Sequence, residues 1–358
     1  MQRFSMIKPT ILHPGDTVAT VSLSWGGPGA IPHRYEAGKH QLQNTFGVRV
    51  VEMPHTLSDP QWISRNPEAR ADDLMQAFAD PDIKGIVATI GGDDSIRLLP
   101  WIDESVIASN PKVFVGYSDT TVSHLACYRA GLRTFYGPSI MAGFGENGGM
   151  FEYTVDSVRR SMFSVEPFGT LEENRQGWTD EFLDWADPEN QKRSRRLNPS
   201  EGWRWIQEGD HSAGDVHGHL LGGCAEVLDQ LRGTEVFPPR EVWEGAFLFL
   251  ETSEQGASAD YLTGLLRSLA AMGIVERLQA VLFGRPGGGV PPERHGEYDE
   301  AILRVVRDEC GRDDLPIITG MDFGHTDPMT VLPYGAAATI DAAGREIRIN
   351  EAATVERS

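Results

Sequence analysis

The sequence predicts an α/β protein with a mostly parallel sheet in its N-terminal part and a second α/β segment toward its C-terminus. Three observations predict it. Short β-branched runs alternate with helical patterns over residues 1–165, the alternation resumes over 212–358, and 358 residues exceed what one hydrophobic core usually holds. The stretch between, 166–211, breaks the pattern with dense charge, so it is expected to connect two domains through long loops.

The first strand reads Thr17-Val18-Ala19-Thr20-Val21-Ser22-Leu23 and runs into the turn Gly26-Gly27-Pro28-Gly29. A helix is expected over 34–44 and a strand over 48–51. Asn66 is placed to cap a helix that opens on Pro67 and Glu68 and turns Leu74 and Phe78 to the core. A buried run over 83–90, a helix through Ile96 and Leu99, and the strand Val113-Phe114-Val115 come next. Such alternation argues for parallel strands covered on both faces.

The connecting segment holds Trp178, Trp185, Trp203 and Trp205 and the basic run Lys192-Arg193-Ser194-Arg195-Arg196. The run reads as a solvated loop, because nearby acid cancels it. Indoles are seldom left in water, so some should pack between domains or line a site. Beyond it come a strand and turn at Gly218-His219-Leu220-Leu221-Gly222-Gly223, a helix over 224–231 and the strand Phe247-Leu248-Phe249-Leu250. Helices are expected over 259–271 and 298–307, strands over 280–283 and 316–318, and a hairpin pairing 337–341 with 345–349.

Charge and cysteine content exclude several function classes. With 32 basic and 52 acidic residues the net charge is −20, a field that repels nucleic acids and anionic membranes. Cys127, Cys224 and Cys310 are odd in number and far apart, which speaks against a disulfide framework or zinc cluster and for a reducing compartment. The first sixteen residues lack the apolar core of a signal peptide, and the apolar stretch 264–284 is interrupted by Arg267, Glu276, Arg277 and Gln279. A cytoplasmic protein is expected.

The most informative local sequence is Val113-Phe114-Val115-Gly116-Tyr117-Ser118-Asp119-Thr120-Thr121, a buried strand leading into a helix. Ser118 on that turn would be presented at a strand's carboxyl end, near the free amides of a helix start. The setting is that of a nucleophile elbow with its last glycine replaced by Thr120, and equally that of a plain helix cap. One βα unit earlier, Ile90-Gly91-Gly92-Asp93-Asp94 lets backbone approach a ligand, so amides of Gly92 and Asp119 could hold an oxyanion. Phosphate binding fits less well, for the phosphate-loop spacings are missing and two aspartates would repel the ligand. An activated serine needs a base and an orienting acid. His325, in the turn-rich loop after the 316–318 strand, and Glu251, directly after the Phe247 strand, are the candidates. His217 and His219 alternate on a strand without a third ligand, so structural roles are expected for them and no metal site.

Taken together, Gly91-Gly92-Asp93-Asp94-Ser95, Gly116-Tyr117-Ser118-Asp119, Leu220-Leu221-Gly222-Gly223, Leu250-Glu251-Thr252 and Asp322-Phe323-Gly324-His325 resemble the serine LD-carboxypeptidase family, peptidase family S66. The resemblance implies a smaller C-terminal domain, an active site in the interdomain groove, a homodimer, and no metal or organic cofactor. It makes Ser118 the nucleophile, His325 the base and then acid, Glu251 the anchor of the imidazole, and the Gly92 and Asp119 amides the oxyanion hole. Murein-directed members usually carry an Arg-Gly-Gly-Tyr-Gly turn and are shorter, so this chain looks closer to the microcin C immunity branch. There a loop tryptophan stacks on the nucleotide base, for which Trp178, Trp185 and Trp203 are the candidates, with Gly91 and Asp93 as further contacts. The expected substrate is a small peptidyl or aminoacyl-nucleotide conjugate. Murein tetrapeptide trimming is the alternative reaction, and non-catalytic binding of a small molecule the alternative of another class.

Overall fold

The computed structural model describes residues 6–209 and 214–357. Its strands are β1 (Thr17–Val21), β2 (Arg49–Glu52), β3 (Ile83–Ala88), β4 (Val113–Gly116), β5 (Phe135–Tyr136), β6 (Gly169–Thr170), β7 (Arg204–Gln207), β8 (Val216–Cys224), β9 (Ala246–Glu251), β10 (Ala280–Gly284), β11 (Ile317–Met321), β12 (Leu332–Pro333), β13 (Ala337–Asp341) and β14 (Glu346–Ile349). They form two sheets, ordered β12-β5-β4-β3-β1-β2 and β6-β14-β13-β8-β9-β10-β11-β7.

In the first sheet β2, β1, β3, β4 and β5 are parallel and only β12 is antiparallel, against β5. Neighbouring residues on a strand point to opposite faces, and both faces are buried. Val18, Val87 and Val115 enter one apolar cluster, while Ala19, Ile86 and Phe114 enter another. The second sheet has a parallel centre, β8-β9-β10-β11, flanked by antiparallel β13 on one side and β7 on the other. Its eight strands outnumber the six of the first sheet. The segment expected only as a connector supplies two of them, β6 and β7, at the sheet's edges. The expected boundary at 211/212 lies outside the described residues.

Most helices fall where the pattern places them, including Pro32–Phe46 and Ala259–Ala271, the latter capped by the Ser258 hydroxyl on the Tyr261 amide. Three details differ. Asn66 precedes helix Pro67–Ala79, but its side chain donates to the Trp62 carbonyl at 2.7 Å instead of capping. The Ile96 to Leu99 region is a 3-10 helix, Ser95–Trp101, with Pro100 inside it. The last long helix starts earlier, at His295, and widens to a π-helix over Arg304–Glu309.

The sheets are not independent. Val122 and Leu125 of helix Thr121–Arg129, with Tyr136 of β5, share one core cluster with Leu220 and Phe249 of the second sheet. Gly222 of β8 marks how closely β8 and β9 are packed, since a Cβ there would stand 1.8 Å from the Phe249 carbonyl oxygen. Gly222→Ala should therefore lower stability by about 1–3 kcal/mol through overpacking. Gly264→Ala, with open space at a helical position, should raise it by about 0.5–1 kcal/mol. Thermal or denaturant unfolding of the two variants checks both signs.

Candidate active site

Ser118 occupies the turn after β4 with φ +62°, a left-handed value that costs an L-residue about 1–2 kcal/mol. Its N–H donates to the Tyr136 phenol oxygen at 3.1 Å, and its carbonyl accepts from the Thr121 hydroxyl at 2.7 Å. Ser118 makes no side-chain cap on the following helix, so the helix-cap reading is not what the structure forms. Gly91 presses against it: a Cβ there would lie 2.9 Å from Ser118 Cβ and 3.4 Å from the Asp119 amide nitrogen. Gly91 thus runs beside the serine and the amide that comes after it. Asp119 turns its side chain inward, where Oδ2 accepts the Ser95 amide at 2.8 Å and burial raises its carboxyl above the usual range.

Glu251 ends β9 and is fully buried. One oxygen accepts from His325 Nδ1 at 2.6 Å, and the other accepts from the Tyr136 hydroxyl. Gly324, at φ +93°, makes room for this, because a Cβ at 324 would sit 2.6 Å from Glu251 Cβ and Cγ. The His325 Nε2 lies 2.9 Å from Glu254 Oε2. With a carboxylate on each nitrogen the ring is an imidazolium. Burial by itself would lower its pKa, but Glu251 and Glu254 together push it up to about 10, and the hydrogen bond to His325 holds the Glu254 carboxyl down at about 2. The ring also rests 4.9 Å from the Tyr117 ring.

Ser118 and His325 open onto one groove of about 850 Å³, whose wall also includes Gly91, Gly92, Asp93 and Trp185. The Arg34 guanidinium lies 4.5 Å from the Trp185 ring centre, and exposed Phe182 stands 6.3 Å away from it. Trp178 and Trp203 are not part of the wall. Trp178 is buried against His295 and Arg285, and Trp203 is buried with its indole N–H donating to Asp322 at 2.7 Å. Arg195 also departs from expectation. Lys192, Arg193 and Arg196 are exposed, but Arg195 is largely enclosed between Glu146 and Asp327, bonding Asp327 Oδ2 at 2.5 Å. His217 bonds Thr339 at 2.9 Å, and among the described residues no group of His, Cys, Asp and Glu could hold a metal ion. No helix among them is long and apolar enough to cross a membrane.

Sequence reasoning missed Tyr136, Glu254 and Phe182. Tyr136 sits in a two-residue strand that shows no period, and Glu254 in a turn where a carboxylate attracts no notice. Phe182 had a signal, being an aromatic in the tryptophan-rich segment.

A strained serine and a carboxylate-bound imidazole sharing a groove at converging strand ends belong to hydrolases of the serine type. Comparison with known proteins gives the family: residues 18–137 match the LD-carboxypeptidase N-terminal domain and residues 217–340 the LD-carboxypeptidase C-terminal domain. The chain belongs to this S66 family and is a serine-type carboxypeptidase. It is 31% identical to a putative carboxypeptidase of Vibrio cholerae, covering 94% of this chain and 95% of that one. It is 29% identical to the microcin C7 self-immunity protein MccF of Escherichia coli, covering 94% of each, and 25% identical to a probable murein peptide carboxypeptidase of Bacillus subtilis, covering 94% and 92%. The solved structure of MccF in complex with aspartyl sulfamoyl adenosine superposes with a TM-score of 0.84 at 27% identity, over 98% of this chain and all of that one.

The buried pairings have two measurable outcomes. The folded pKa of His325 lies above its ordinary 6.5, so its stabilisation is complete below about 6.5 and is lost as pH rises through about 10. Across that window the thermal midpoint should fall more steeply in the parent than in His325→Gln, and equal slopes would contradict the pairing. Tyr136→Phe strips the Ser118 amide and one Glu251 oxygen of their partner, and denaturant titration should show a loss of about 1–3 kcal/mol.

Proposed function

We propose that this protein hydrolyses the amide-type bond of an aminoacyl or peptidyl nucleotide conjugate, detoxifying compounds of the microcin C kind. Ser118 is the nucleophile, His325 the base and Glu251 its anchor. The observation that carries this reading is the groove itself, which holds the φ +62° serine, the Glu251-bound imidazole and the Trp185 and Phe182 rings together. The MccF structure with an aminoacyl sulfamoyl nucleoside supports the substrate class. An aromatic edge suits stacking on a base.

The chemistry proceeds by acyl transfer. With His325 in its neutral form, the Ser118 hydroxyl passes its proton to Nε2 as Oγ bonds the substrate carbonyl carbon, and the oxyanion rests on the Gly92 and Asp119 amides. The C–N bond then breaks, the leaving nitrogen takes the proton from Nε2, and water repeats the sequence to release the acyl group from Ser118. Glu251 keeps the ring oriented and offsets the charge it gains. No step calls for a cofactor. We also read the chain as two domains, 1–165 and 212–358, joined by 166–211, and as a cytoplasmic homodimer; its three free cysteines suit a reducing compartment.

Purified protein should cleave an aminoacyl sulfamoyl adenosine, and Ser118→Ala should reduce kcat by at least about 10³-fold while folding normally. Release of D-alanine from a murein tetrapeptide, with the nucleoside conjugate untouched, would replace this substrate with the murein one. Tight binding of the conjugate without turnover would make the protein a binder.

A further inference from the structure

His325 carries two carboxylates that differ in kind. Glu251 is fully buried at the end of β9 and has no freedom to leave, whereas the Glu254 side chain is 69% exposed and reaches His325 Nε2 from the groove rim. Its backbone is tethered just before it, for the Ser253 amide and hydroxyl both bond Glu226 Oε1, at 2.9 and 2.7 Å. The Glu254 carboxylate can therefore leave by side-chain rotation alone. A ring nitrogen has one site for a proton, so Glu254 and the Ser118 hydroxyl compete for Nε2. While Glu254 holds the Nε2 proton, the serine has no base.

We propose that Glu254 gates the active site, occupying His325 Nε2 in the free enzyme and swinging outward when substrate fills the groove; the ring, no longer paired at Nε2, then gives that proton up to solvent, and the freed Nε2 lone pair becomes available to Ser118. This inference rests on the serine mechanism proposed above and assigns its regulation. Only the Glu254 side of this pair is open to solvent, so water can take over the carboxylate's hydrogen bonds as it leaves, which suits a contact that substrate must displace in every turnover. The pKa of about 10 for His325 agrees with a base that is protonated at rest. The other groups around the ring are Glu251 beneath it, the Tyr117 phenol from the turn after β4, and Asp327 on its own loop, neutralised by Arg195. Glu254 is the one of these that faces solvent.

The test uses Glu254→Ala and Glu254→Gln in the full-length protein. Histidine side-chain NMR, which needs no substrate, should show the His325 titration midpoint falling by about one unit or more in Glu254→Ala, with a smaller fall in Glu254→Gln. The acidic limb of kcat/KM, which reports the free enzyme, should move down with it, raising kcat/KM at pH 7 by about tenfold per unit. The limb of kcat, which reports the substrate complex with the gate open, should move less. An unchanged His325 midpoint in both variants, or equal shifts in the two limbs, would overturn the gate. Failure of the parent enzyme to cleave any conjugate would overturn the substrate reading instead, and the NMR midpoint would still decide whether Glu254 caps the ring.

Discussion

The buried charge of Glu251 is the constraint around which the rest of the site is organised. A carboxylate with no solvent must have each oxygen hydrogen-bonded, or it costs several kcal/mol to keep ionised. Its two partners come from opposite halves of the molecule, Tyr136 from the first sheet and His325 from the loop after β11. Tyr136 then accepts the Ser118 amide, so the turn holding the strained serine is tied through one phenol to the same carboxylate. The domains cannot slide apart without exposing that charge to an unpartnered interior.

The loop that presents His325 is clamped at both ends by ion pairs. At its start, buried Asp322 receives Arg285 at 2.5 Å, the Trp203 indole and the Asn174 amide. At its end, Asp327 binds Arg195, while its backbone exchanges two hydrogen bonds with Thr179. Buried pairs of this sort add little net stability, but they fix geometry, and here the geometry fixed is the direction of an imidazole. Asn174, Thr179, Arg195 and Trp203 all belong to the irregular stretch between the domains. That stretch is structural scaffolding for the site as much as connection, and its tryptophans divide accordingly: Trp203 braces the loop and Trp185 forms the groove wall.

Much of this was legible in the sequence because local patterns caused it. A parallel strand buried on both faces must read as an apolar run, and the residues directly after it must turn at the carboxyl edge; Ser118, Glu251, His325 and the Gly91-Gly92 pair could each be placed that way. Helix Ala259–Ala271 lies on the 259–271 stretch expected for it. What stayed hidden was set by contacts across long stretches of chain. Strands β5, β6 and β12 have two residues each and exist only through pairing. The burial of Trp203 depends on Asp322, 119 positions away. Arg195 looked like part of a solvated cationic run, and only Glu146 and Asp327 draw it into the interior.

Strand β12 pairs Leu332 with Tyr136 and Pro333 with Phe135, and further along the chain Glu351 receives buried Arg133 at 2.7 Å. The edge of the first sheet is therefore finished by residues synthesised long after the rest of it. A nascent chain that has already exposed Ser118 and Tyr136 still lacks the strand that flanks Tyr136 and the Glu251 carboxylate that its phenol bonds. The first domain cannot complete itself on the ribosome ahead of the second, and formation of the catalytic groove becomes a property of a polypeptide whose second half has also emerged.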